Sequence, residues 1–235
     1  MLEHYTIINV QEARQDAAAI LDVLATVMKR RSGGKISLLN YYKEVPISFE
    51  AEVKNIDKGV VEVTVHSVQA AAIAMQKATL IQCELLPHPV VAKVLSIDAV
   101  SKFALLGSLA YATIPSERRK YVRVKVADRL DVTFRDGTKS ISGQIYDISI
   151  GGVAILARDE VPIEEHDRGT VTMDLKGTSL TADCALLRKG AVNGQFKYVF
   201  ELNVVNTKSE HQISHFINLQ QAEIVRELRE MMTKW

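Results

Sequence analysis

The sequence predicts a mainly β protein with flanking helices: two small antiparallel β-barrels, the first split-barrel-like, and a long C-terminal helix. Three observations carry this prediction. Short runs rich in β-branched residues alternate apolar and polar positions, which marks half-buried strands. Turn signals recur between those runs: Asp57-Lys58-Gly59, Asp136-Gly137, Gly151-Gly152, Lys176-Gly177 and Asn193-Gly194. Few helical segments separate the strands, so alternating βαβ units with a parallel sheet are disfavoured.

The elements follow in order. Ala13 to Arg31 reads as a helix, with Ala17, Ile20, Leu21, Leu24, Val27 and Met28 on one face. Lys29, Arg30 and Arg31 suit the negative end of its dipole, and Ser32-Gly33-Gly34 is its expected stop. Strands are expected at Lys35 to Lys43, Ile47 to Asn55 and Val60 to His66, the last two joined by the Asp57-Lys58-Gly59 turn. Val68 to Lys77 is alanine-rich and reads as a short helix. Thr79 to Leu85, Val90 to Ile97 and Lys102 to Ala112 complete the first strand series.

Pro115 biases the residue before it to extended backbone and marks a joint. The division expected is 1–113 for an N-terminal β domain with its leading helix and 114–235 for a second barrel with its helix. The second series is Tyr121 to Val126, Leu130 to Phe134, Lys139 to Ile148, Val153 to Ala157, Gly169 to Leu175, Leu180 to Leu187 and Phe196 to Val204. Ser209 to Lys234 reads as the terminal helix, capped by Ser209, with Ile213, Phe216, Ile217, Gln220, Ile224, Leu228 and Met231 along one side.

Composition narrows the function. The chain has 235 residues, 47% hydrophobic and 24% charged, which is globular rather than disordered or fibrous. Its 29 basic and 28 acidic residues give a net charge of +1, far from the basic excess of a general nucleic-acid coat. No basic leader precedes an apolar run, and the longest apolar stretch, Phe103 to Ile114, is shorter than the roughly 20 residues of a membrane helix. A cytoplasmic protein without membrane insertion is expected. Cys83 and Cys184 are isolated from each other and sit in apolar strand contexts, so buried thiols are expected rather than a disulfide framework or zinc ribbon.

The candidate chemistry is concentrated. Glu117 to Lys125 reads ERRKYVRVK, with Arg118, Arg119, Lys120, Arg123 and Lys125 opposed by one acid. Arginine forks fit phosphate oxygens or the O6/N7 edge of guanine. A solvated basic linker is the plain alternative, since short Lys/Arg clusters are common. The second feature is Asp147-Ile148-Ser149-Ile150-Gly151-Gly152. By itself it reads as a tight turn, with Asp and Ser capping amides and Gly supplying positive φ.

Together, RxxxR at Arg119 and Arg123 followed by DxSxxG at Asp147, Ser149 and Gly152 resembles the PilZ domain. The resemblance covers about residues 115–204. The terminal helix and the N-terminal module are similar, in architecture and position, to those of YcgR-like proteins. What the resemblance implies is a receptor for cyclic di-GMP, with no other cofactor. Arg119 and Arg123 would hold phosphate and part of guanine. Asp147 would accept from guanine N1–H and N2–H, Ser149 would bond guanine or phosphate, and Gly152 would admit the base without a Cβ clash. Arg118 adds a third guanidinium, which points to an intercalated dimer of the ligand; its alternative is a surface ion pair with Glu117. In this family the output is often a brake on the flagellar motor, with recruitment to the flagellar basal body and a motor component as partner.

Other readings stay open beside it. A PilZ-fold adaptor would work through protein contacts without nucleotide, and a nucleic-acid-binding barrel would use ERRKYVRVK. An enzyme is not expected: no GxSxG elbow and no Ser/His/Asp or Cys/His set is visible. Ser32-Gly33-Gly34-Lys35 lacks the frame of a phosphate loop. His211 and His215 have i, i+4 spacing without a third ligand, so exposed helix histidines are expected and no metal site. Trp235 reads as a frayed tail.

Overall fold

The computed structural model describes residues 4–30, 35–98, 100–203 and 207–232. Arg31, the Ser32-Gly33-Gly34 stop, Val204, Lys234 and Trp235 lie outside the described residues. The chain divides into two compact units. The first takes the described residues up to Tyr42, Pro46–Lys120 and the terminal-helix residues from Val225. The second takes Lys43–Val45 and Tyr121–Ile224.

The first unit contains β1 (Thr6–Ile7), α1 (Ala13–Met28), β2 (Lys35–Tyr42), β3 (Val45–Asp57), β4 (Val60–Thr64), α2 (Ser67–Gln76), β5 (Ala78–Gln82), β6 (Val90–Asp98) and β7 (Phe103–Thr113). Sheet order β7-β4-β3-β2-β5-β6 closes through a β7–β6 pairing into an antiparallel barrel, and β1 adds to β7. The β3–β4 hairpin turns at Lys58 and Gly59, both at positive φ (46° and 81°), the conformation a tight two-residue hairpin needs. Ile20, Leu24 and Val27 of α1 are buried in one apolar cluster with residues of the barrel strands, among them Leu38, Val61, Val63 and Leu106. Asp16 is also buried, because its carboxylate accepts from the Val10 and Gln11 amides (2.9 and 3.0 Å) and fixes the chain entering the helix. His66, expected at a strand end, instead caps α2: its Nδ1 accepts from the Val68 amide at 3.2 Å.

The second unit contains β8 (Val124–Lys125), β9 (Asp131–Arg135), β10 (Ser140–Ser149), β11 (Gly152–Ala157), β12 (Arg168–Asp174), β13 (Ser179–Val192) and β14 (Gln195–Asn203). Order β11-β14-β13-β12-β9-β10 closes through β11–β10 into a second ring, with β8 added to β10. Phe134 and Phe200 stack inside it at 4.6 Å between centroids, and both are fully buried. The mainly β class with two closed sheets and a long terminal helix is therefore the observed fold.

Several elements differ from expectation. The strand expected over Tyr121 to Val126 is only Val124–Lys125, since Tyr121 to Arg123 do not pair as a strand. A 3₁₀ turn, Pro115–Arg118, precedes it. The terminal helix, α3 (Thr207–Met232), starts before Ser209, so Ser209 lies in its first turn rather than at the cap. Cys184 is buried in β13, but Cys83 follows β5 and is half-buried. Neither Gly151 nor Gly152 is among the positive-φ residues, so that turn does not need glycine for its dihedrals.

Candidate functional site

The site begins with a fault in strand alternation. Ile141 and Ile145 of β10 point into the barrel and are buried (0% and 3% exposed). Strict period two would send Asp147 and Ser149 inward as well. A bulge between Ile145 and Asp147 inserts Tyr146 as an extra residue. The parity of the strand then reverses. Ile148, paired with Val124 and Val153, takes the core position at 0% exposure. Asp147 and Ser149 pass to the opposite face of the strand.

On that face the hairpin β10–β11 gathers three of the motif residues. Asp147 and Ser149 are nevertheless buried, at 6% and 5% exposure. Ser149 Oγ donates to the Gly152 carbonyl at 3.3 Å across the turn. Gly152 opposes Glu201 of β14, and a Cβ there would stand 2.9 Å from the Phe200 carbonyl oxygen. A Cβ on Gly151 would meet the Tyr121 ring at 2.9 Å. The Tyr121 ring therefore lies directly on the turn.

Arg123 follows from the register of β8. Val124 opposes Ile148 and Lys125 opposes Asp147 in an antiparallel pairing, so the chain before β8 runs beside the Ser149 end of β10. Arg123 is half-buried there. Arg118 and Arg119 belong to the first unit. Arg118 ends the 3₁₀ turn and is exposed; Arg119 is half-buried, and its amide donates to the Ser116 carbonyl at 3.1 Å. Glu117, the alternative partner weighed for Arg118, accepts from Gln82 Nε2 at 2.6 Å.

Three residues join this face that the motif does not contain. Lys197 of β14 donates to Asp147 Oδ2 at 3.1 Å, with both side chains largely shielded. Its Nζ also lies 4.0 Å from the centre of the Tyr146 ring, and Lys125 Nζ lies 4.6 Å from the same ring. Lys125 is visible in the basic run of the sequence. Lys197 is not: it is 50 residues from Asp147, and no spacing rule connects them.

The arrangement is a buried carboxylate held by an ammonium, a hydroxyl on the adjacent turn, and an arginine alongside. It presents acceptors and donors on one barrel wall. Among the described residues no group of three or more His, Cys, Asp or Glu could hold a metal, and His211 and His215 are exposed on α3. No helix among the described residues is long and apolar enough to cross a membrane.

Residues 117–219 match the PilZ domain family model. An uncharacterized protein of Aquifex aeolicus is 25% identical over 128 residues, which is 54% of this chain and 62% of that protein. Among solved structures, YcgR from Escherichia coli in complex with c-di-GMP is similar over 96% of this chain and 99% of that one, at 17% identity and TM-score 0.45. The K. pneumonia MrkH–c-di-GMP complex covers 95% and 99%, at 11% identity and TM-score 0.47. The Bacillus subtilis inhibitor of motility MotI covers 81% and 98%, at 14% identity and TM-score 0.41.

Proposed function

With residues 117–219 a PilZ domain, we propose that the chain is a receptor for cyclic di-GMP that passes ligand occupancy to a partner protein. The observation that carries this reading is the hairpin that sets Asp147, Ser149 and Gly152 on one face, with Arg123 beside it. The ligand is two guanosines closed by two phosphodiesters. It needs cations for phosphate and acceptors for guanine N–H, and these residues supply both. Arg118, Arg119 and Arg123 are the proposed phosphate and guanine O6/N7 contacts. Asp147 and Ser149 are the proposed base-edge contacts, and Gly152 completes the turn. Two intercalated ligand molecules are the proposed stoichiometry.

The domain division proposed is 1–113 and 114–235, with the arginine segment at the joint. Binding would draw that segment onto phosphate and change how the domains are arranged, to the extent that the two arrangements differ in ligand affinity. The output proposed is non-enzymatic: contact with a protein such as a flagellar motor component, in the cytoplasm or at the basal body. The balanced charge of the chain supports a protein partner over nucleic acid.

Calorimetric titration of the native protein, Arg123→Ala and Ser149→Ala tests the reading. The native protein should bind near two ligands per chain. Arg123→Ala should weaken binding roughly tenfold to a hundredfold, the scale of a lost charge-assisted bond. Ser149→Ala should cost less, about threefold to tenfold. No heat from folded native protein would refute a nucleotide receptor. Unchanged small-angle scattering with ligand would refute the rearrangement alone.

A further inference from the structure

The geometry points to Lys197 as a direct reader of guanine O6, completing with Asp147 a site for the Watson–Crick edge of the base. This inference rests on the cyclic di-GMP reading above and names a ligand contact that the PilZ motif residues do not include.

Hydrogen-bonding capacity decides which ligand edge such a pair can take. The Watson–Crick edge of guanine carries, in order, an N2–H donor, an N1–H donor and the O6 acceptor. An ionised carboxylate only accepts, and an ammonium only donates. A carboxylate flanked by an ammonium is therefore the complement of that edge. Asp147 and Lys197 form such a pair, Nζ to Oδ2 at 3.1 Å. Adenine offers the opposite pattern at N1 and C6, so the pair discriminates against it.

The ammonium is also fixed in place. It is held between the Asp147 carboxylate and the Tyr146 ring, 4.0 Å from the ring centre. Cation–π attraction and the ion pair act on the same nitrogen. Lys197 has three N–H donors, and the bond to Asp147 uses one. Its side chain retains 18% of its exposure, against 9% for Asp147, so neither group is sealed off entirely.

Charge supplies a further reason. A lone buried carboxylate would repel a dianionic ligand. Lys197 at Asp147 and Lys125 beside Tyr146 neutralise it and leave a local cationic excess. The register places these groups on one wall. Lys125 opposes Asp147 on β8, and Asp147 opposes Ala154 on β11. Ala154 opposes Val199 on β14, two residues from Lys197 and so on the same face of that strand.

The test is a cycle of two proteins against two ligands. Native protein and Lys197→Met are titrated with cyclic di-GMP and with its 6-thioguanine analogue, in which a weaker acceptor replaces O6. Native protein should prefer the oxygen ligand several-fold. Lys197→Met should bind cyclic di-GMP roughly tenfold or more weakly and bind both ligands alike. Circular dichroism checks folding. If Lys197→Met does not fold, Lys197→Gln still donates to Asp147, and its oxygen preference should shrink. An undiminished oxygen preference in the folded variant, or native affinity for cyclic di-GMP, overturns the contact to O6. Native protein that binds neither ligand overturns the receptor reading, and this inference with it.

Discussion

Gly152→Ala separates two explanations for the final glycine of the motif. The sequence reading gives Gly152 to the ligand, as a place where a Cβ would obstruct the base. The structure adds a second reason, within the barrel. A Cβ at Gly152 would stand 2.9 Å from the Phe200 carbonyl oxygen, where ordinary contact begins at 3.4 Å. Backbone cannot rotate away as a side chain can. The start of β11 must part from β14 by about half an ångström. Overpacking of this kind costs about 1–3 kcal/mol. Removing glycine from the unfolded chain returns about 0.4–1 kcal/mol, and the gain is available because Gly152 does not have a positive φ. A net loss of about 1–2 kcal/mol follows, which should lower the urea midpoint by roughly 1 M at an m-value typical of a small domain. Gly190→Ala is the control, since a Cβ at Gly190 in β13 would meet nothing within 4 Å. Urea unfolding followed by circular dichroism, with ligand titration of each variant, gives the result. If Gly152→Ala is as stable as Gly190→Ala and loses only ligand binding, the packing argument is refuted.

Two further predictions concern groups away from the site. Burial and the nearby Asp183 push the Cys184 thiol up to about 12, and its Sγ donates to the Gly169 carbonyl. Native protein at pH 8 should therefore alkylate at half-buried Cys83 while Cys184 stays unmodified until unfolding, as read by peptide mass spectrometry. Burial, then the bond to Glu227 at 2.9 Å, pushes the Tyr42 phenol up to about 12. Its folded value is above the unfolded value near 10, so the stabilisation is full below pH 10 and is lost as pH rises towards 12. Tyr42→Phe should cost about 0.5–1.5 kcal/mol at neutral pH and reduce the loss of stability between pH 10 and 12. Equal alkaline sensitivity of the two proteins would contradict this assignment.

Much of the fold was legible because period-two alternation is a local signal. Ile47, Ala51 and Val53 are buried in β3 and Val61 and Val63 in β4, with Lys58-Gly59 turning between them as the composition required. The motif residues were legible too, since Asp147, Ser149 and Gly152 are close in sequence and share a hairpin. Where local signals were misleading, a longer-range partner decided. The strand expected over Tyr121 to Val126 has the right composition, yet pairing with β10 extends only over Val124 and Lys125. The alanine-rich stretch extends one residue further back than expected, because His66 supplies the cap. Lys197 could not be found by spacing at all. It reaches Asp147 only because ring closure brings β14 alongside β11 and β11 alongside β10.

The bulge at Tyr146 links these observations. In a closed six-stranded ring, each strand has one set of residues inside and one outside. A regular β10 carrying Ile141 and Ile145 inside would expose Ile148 and bury Asp147 among apolar residues, a costly place for a carboxylate. One inserted residue solves both problems, because it changes the parity of the strand for every residue after it. The same residue supplies the aromatic face that Lys125 and Lys197 approach. The DxSxxG hairpin thus depends on a residue just before it, and the irregularity that spoils the strand pattern also sets Asp147 on the face that Lys197 shares.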